Sequence, residues 1–184
     1  MKLVNKLLLV ASRIFEVIHW MIFGVGLLVF VACCFNTEHL VGSIEAYSFD
    51  LTFYGIDPSS IYGMWGEVEI ILMFLFIIAG IITACLMALI FHNVACILKT
   101  ISDKKENPSP FQKKIVKKVQ TIGILLVALP ATDLFFDIIR YFTSSASPRI
   151  TIDFMGFMVG LVCVSLTQIF LYGAKLEEEV DGLL

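Results

Sequence analysis

The residues with the most chemical potential in this chain sit inside its most apolar stretches. Asp133, Asp137 and Arg140 are spaced i, i+4, i+7, which puts all three on one face of a helix. Charges at membrane depth are costly and are normally paired or functional. Arg140 is placed to pair with Asp137, three residues back, whereas Asp133 has no expected partner on its own helix. Pro130, one turn earlier, has no N–H and leaves the carbonyl of Leu126 free. A kink beside a buried carboxylate is one way to build a polar site in a helix bundle. The competing expectation is an interhelical clamp, with Asp133 bonded to Thr167, Gln168 or another hydroxyl. A second set is Glu16 and His19, i, i+3 neighbours able to hydrogen-bond. His92 closes another apolar run, and His19 with His92 would suit a bis-histidine haem or quinone redox subunit, a remote alternative that rests on two histidines alone.

Four apolar stretches must position these groups: Ile14–Phe35, Ile70–Phe91, Val119–Phe142 and Phe154–Tyr172. Each is about as long as a helix crossing a ~30 Å hydrocarbon core. The chain is 59% hydrophobic and only 16% charged, against about 25% charged in an ordinary soluble domain. The expected fold is therefore an all-α, four-helix membrane bundle forming a single integral-membrane domain over residues 1–184. Helices are expected at about 14–35, 68–101, 110–142 and 153–176, with an outer loop at 36–67 and an inner link at 102–109. The basic start (Lys2, Lys6, Arg13) has the layout of a signal peptide, yet the run behind it is long enough to span, so a retained helix is expected. The five cysteines (Cys33, Cys34, Cys85, Cys96, Cys163) show no metal or redox spacing and read as small polarizable helix residues.

Charge sets the topology. Lys2, Lys6 and Arg13 precede the first stretch; Lys99, Lys104, Lys105, Lys113, Lys114, Lys117 and Lys118 lie between the second and third; Lys175 follows the fourth. The link from Asn36 to Glu67 has no Lys or Arg but carries Glu38, Glu45, Asp50, Asp57 and Glu67. The positive-inside rule then places both termini and the lysine-rich link in the cytoplasm. The bias is a topology device and does not argue for direct nucleic-acid binding.

Within the outer loop, Tyr47, Phe49, Leu51 and Phe53 alternate with Ser48, Asp50 and Thr52, the period of a strand. Gly55 and Asp57-Pro58 supply turn chemistry. A strand or small β-hairpin is expected over the outer mouth, either as a plain lid on helix ends or as a lid over a ligand cavity lined by Tyr54, Tyr62 and Trp65. On the inner side, Val94, Ile97, Leu98 and Ile101 continue the second helix past His92. Ser109-Pro110-Phe111-Gln112 reads as an N-cap, N1 proline and capping box for the third. Lys113, Lys114, Lys117 and Lys118 then face headgroups, each attracted to an anionic leaflet by about 1 kcal/mol, or form a dock for an acidic partner. The acidic end, Glu177, Glu178, Glu179 and Asp181, is the nearest such partner. Gly156 with Gly160, and Gly80 with Ala84 and Ala88, form small-residue faces that permit close helix approach or a homodimer.

No Walker loop, dinucleotide fingerprint, metalloprotease helix, nucleophile elbow or CxxC is present, so no cofactor and no enzymatic activity are expected.

The tail Phe170-Leu-Tyr-Gly173-Ala-Lys-Leu176-Glu-Glu-Glu179-Val-Asp181-Gly resembles the closing motif of the domain-of-unknown-function family 2975, the YoaS-like bacterial membrane proteins. Pro110-Phe111, with Ile115, Val119 and Ile122-Gly123 beyond, resembles that family's second recurring element. The longer basic run after Pro110 and the Gly182-Leu183-Leu184 ending depart from it. The resemblance implies a bacterial plasma-membrane protein that partners a small cytoplasmic helix-turn-helix regulator; the lysine-rich hairpin and the acidic tail, charged beyond what topology requires, are the surfaces expected to dock it. A small-molecule or lipid sensor, or an immunity-type membrane protein, is the alternative carried by Asp133, Asp137 and Pro130.

Overall fold

The computed structural model describes residues 2–36, 69–102, 113–144, 150 and 152–181. These residues form four helices and no strand: α1 (Lys2–Phe35), α2 (Ile70–Ser102), α3 (Lys113–Thr143) and α4 (Phe154–Asp181). All four are long and apolar enough to cross a membrane, so this is a multi-pass membrane protein of all-α class. The expected strand at 47–53 and the capping box at Ser109 lie outside the described residues.

α1 begins twelve residues before the expected bound of 14. Hydropathy places a boundary at Lys2, Lys6 and Arg13, but nothing in residues 2–13 breaks a helix: the stretch has no Gly or Pro and is rich in Leu, a strong helix former. α4 likewise runs through Gly173 to Asp181, five residues beyond the expected end at 176. Its start is fixed by an N-cap, because the Gly156 N–H donates to Asp153 Oδ1 at 3.0 Å, satisfying one orphan donor of the first turn. With 28 to 34 residues each, the helices are roughly 42–51 Å long at ~1.5 Å per residue. Every helix therefore exceeds the ~30 Å it needs to span hydrocarbon.

The described contacts divide the chain into two units. One comprises Met1–His19, Leu86–Pro130 and Asp153–Leu184, the other Trp20–Cys85 and Ala131–Ile152. In the second unit α1 and α2 run antiparallel. Phe30 meets Phe74 edge to face with ring centroids 5.8 Å apart, and buried Cys33 and Met73 form a small core with Val29, Phe74 and Ile77.

In the first unit α3 and α4 also run antiparallel, and their backbones nearly touch. A Cβ on Gly160 would stand 2.8 Å from the backbone nitrogen of Val127 and 3.1 Å from the carbonyl carbon of Leu126. Reciprocally, a Cβ on Gly123 would stand 3.0 Å from the nitrogen of Val164. Gly123 and Val127 are four residues apart on α3, as are Gly160 and Val164 on α4, so each valine fills the notch left by the opposite glycine. This is small-residue packing of the kind that holds helices together in lipid, where burying an apolar side chain gains little. The expected small face at Gly156 and Gly160 is thus a contact with α3 within one chain.

Gly160→Ala is expected to lower the thermal midpoint of the purified protein, by an overpacking cost of about 1–3 kcal/mol. Gly24→Ala is the control, since a Cβ there meets nothing within 4 Å, and its melting curve should match the wild type.

Candidate functional site

Seven residues of α1 follow a 4-3 spacing: Ser12, Glu16, His19, Phe23, Gly26, Phe30 and Cys33. That spacing keeps one face of a helix turned to a partner. Its first three members, all polar, are buried. In the first unit this stripe meets α2, where Phe15 stacks on Phe91 at 5.2 Å and the His19 ring lies 5.3 Å from that of Phe91. These rings set Glu16 opposite His92.

The Glu16 carboxylate has two charged or polar donors. Arg13 Nη1 donates to Oε2 at 2.6 Å. His92 Nδ1 lies 2.7 Å from Oε1, a bond that ties helices 76 positions apart in sequence. On the far side of the same ring, His92 Nε2 lies 3.6 Å from Cys96 Sγ. His19 Nδ1 is 2.7 Å from the Phe15 carbonyl, one turn back on its own helix. A carboxylate and a carbonyl only accept hydrogen bonds, so Nδ1 carries the proton in both histidines.

The expected Glu16–His19 neighbourhood is therefore organised differently. Helical side chains lean toward the N-terminus, which carries the Glu16 carboxylate toward Arg13 and the His19 ring toward Phe15. Arg13 and Cys96 had no place in the expected polar site, and His92 was expected only as a partner of His19. The signals for them were the i, i+3 spacing of Arg13 to Glu16 and the i, i+4 spacing of His92 to Cys96; the cross-helix bond had no local signal. For a bis-histidine centre, His92 has both ring nitrogens engaged by Glu16 and Cys96. No group of three or more His, Cys, Asp or Glu side chains able to hold a metal occurs among the described residues.

The second polar cluster is on α3, within the second unit. Arg140 pairs with Asp137 as the spacing predicts, and Asp137 is buried. Asp133 is exposed and has a bonding or electrostatic partner of its own. Among the described residues, Arg140 Nε and the Thr83 hydroxyl are buried side-chain donors with no hydrogen-bond partner. Thr83 stands out, because Thr100, Thr121, Thr143, Ser165 and Thr167 each donate to the carbonyl four residues back. Thr167 is fully buried and Gln168 exposed.

Of the expected docking residues, Lys117 and Glu179 are exposed and Lys118 is half-buried. Lys113 and Lys114 open α3, and Glu177, Glu178 and Asp181 lie on the last turns of α4. The side chains of these five, and hence the expected meeting of acidic tail with lysine hairpin, lie outside the described residues.

No family model, no curated protein and no solved structure matches this chain.

The two buried carboxylates differ in what their loss costs. Arg13 and His92 are nearly half exposed, at 44% and 46%, so neither is left enclosed without a partner when Glu16 is changed. Glu16→Gln is expected to destabilise by about 1–2 kcal/mol. Arg140 is mostly enclosed, at 19%, and Asp137→Ala strands its charge, at a cost of about 3–5 kcal/mol. The double variant with Arg140→Met should recover most of that loss in the same denaturation assay.

Proposed function

We propose that this chain is a non-enzymatic regulatory membrane protein that holds a small helix-turn-helix transcription regulator at its charged inner face. It belongs, in this reading, to the four-span family that its tail and Pro110-Phe111 element resemble. It sits in a bacterial plasma membrane with both termini in the cytoplasm. One observation carries the proposal. α4 continues as a helix to Asp181, although its apolar span ends at Leu176. The added turn consists of Glu177, Glu178, Glu179, Val180 and Asp181, which a membrane anchor does not need. α3 starts at Lys113 with four lysines in its first six residues, and the positive-inside rule sets this end on the same side as the tail. Opposite charges on two helix ends present a patterned surface, and such patterning steers partners and fixes register more than it adds affinity.

A second reading, a sensor of a small polar or lipid ligand, is favoured by Arg140 Nε and Thr83 Oγ1. A buried donor without an acceptor costs about 1–3 kcal/mol, and a ligand oxygen would relieve it.

The test is affinity capture in mild detergent from the protein's own cells, read by mass spectrometry. The intact chain should retain a small DNA-binding protein. A form lacking residues 174–184, and one with Lys113, Lys114, Lys117 and Lys118 neutralised, should lose it. Retention of that partner by both altered forms would sink the docking proposal.

A further inference from the structure

The Arg13–Glu16–His92–Cys96 chain has a chemical consequence beyond holding two helices together. Glu16 is 8% exposed and accepts from Arg13 and from His92 Nδ1. Because the ionised carboxylate can only accept, it fixes the imidazole as the Nδ1–H tautomer. The lone pair of the neutral ring is then on Nε2, and Nε2 is the atom that faces Cys96 Sγ at 3.6 Å. The order is thiol, imidazole, carboxylate: a nucleophile beside a base, and the base oriented by a third group through its other nitrogen. The two ends of the chain differ in access. Glu16 is enclosed, which keeps its charge aimed at the ring, while His92 is 46% exposed in its side chain and Cys96 is half-buried. A reagent can reach the sulfur without opening the helix pair.

We propose that Cys96 is a reactive thiol, with His92 as its base and Glu16 as the positioning residue, that is modified by small apolar electrophiles of the α,β-unsaturated carbonyl class. Cys96 lies on α2 one turn past His92, among the apolar side chains Val94, Ile97 and Leu98, surroundings that suit a small apolar reagent. The step is a Michael addition. The thiol proton passes to His92 Nε2 as the sulfur attacks the β-carbon. An S–C bond forms, the C=C π bond breaks, and the proton held by His92 returns to the α-carbon. Nothing leaves, no electron carrier is required, and His92 ends neutral. The adduct stays on the protein, so the event is a stoichiometric mark. It also places new bulk beside the ring that bonds Glu16, and so bears on the α1–α2 link.

The experiment uses the full chain in mild detergent with N-ethylmaleimide as the probe. Timed samples are quenched and each cysteine is quantified by peptide mass spectrometry. Cys85 and Cys163 are internal references, since both are half-buried like Cys96 and neither has a histidine bonded to it in the described structure. Cys96 is expected to label roughly tenfold or more faster than either, the scale of assistance by a positioned base. His92→Asn should bring it down to the reference rate, and Glu16→Gln should bring it part of the way, with Cys85 and Cys163 unchanged. Wild-type Cys96 labelling no faster than the references overturns the proposal. So does fast labelling that survives His92→Asn, which marks an accessible thiol only. If His92→Asn alters the reference cysteines, its fold is disturbed; Glu16→Gln and the wild-type comparison then decide by the same criteria. A regulator captured or lost in affinity purification leaves this result untouched, so the two proposals stand or fall separately.

Discussion

Inside hydrocarbon an apolar side chain gains almost nothing by leaving lipid for protein, and the organisation of this chain follows from that constraint. The hydrophobic effect places the four helices in the membrane, and the backbone bonds within each helix satisfy their polar groups there. Neither effect chooses which helices pair. That choice falls to close van der Waals approach and to the few polar links the sequence supplies. α3 and α4 use the first means, with Gly123 and Gly160 bringing one backbone against the other. α1 and α2, in the first unit, use the second, with Glu16 bonded to His92 beside stacked Phe15 and Phe91.

The same constraint explains where the remaining apolar surface goes. α1 and α4 leave long rows of large side chains exposed, from Val4 to Phe35 on one and from Phe154 to Leu176 on the other. In water such rows would mark an interface or an aggregation hazard. On a membrane-spanning helix they are the surface offered to lipid tails. α2 and α3 bury a larger share of their apolar windows, so the contacts that distinguish this fold from four separate helices are concentrated on them.

The four-helix architecture was legible in the sequence because it rests on hydropathy and length, which are one-dimensional. The inner end of α2 illustrates this: Val94, Ile97, Leu98 and Ile101 continue the helical stripe, and the chain is helical through Ser102. The Asp137–Arg140 pair was legible for the same reason, since both residues lie on one helix face. The start of α1 was not, because charge was taken as a boundary where the chain had no helix breaker. The candidate site was legible only in fragments. Glu16, His19 and His92 each stood out as ionisable groups in apolar runs, but their pairing depends on two things sequence spacing does not carry. One is the lean of helical side chains toward the N-terminus, which turns Glu16 to Arg13. The other is the antiparallel register of α1 against α2, which brings residue 92 to residue 16. The glycine notches were visible as spacings, but a Gly-x-x-x-small pattern has no partner until a second helix supplies the matching valine.

The two polar clusters meet the cost of buried charge in different ways, and this separates their chemistry. Asp137 and Arg140 neutralise each other on one helix, yet the fork of the guanidinium leaves Nε buried without an acceptor. What that cluster lacks, among the described residues, is a second acceptor placed at Nε. The Glu16 cluster is built the other way. Each oxygen of its carboxylate accepts one hydrogen bond, from Arg13 or from His92 Nδ1, and the remaining ring nitrogen, Nε2, faces the sulfur of Cys96. A neutral imidazole has one N–H and one lone pair, so fixing the first also fixes the second. The buried carboxylate thereby sets the protonation pattern of an exposed group one residue length away. A link that evidently joins two helices thus also decides, by the same proton placement, which atom of His92 is basic and which thiol it faces.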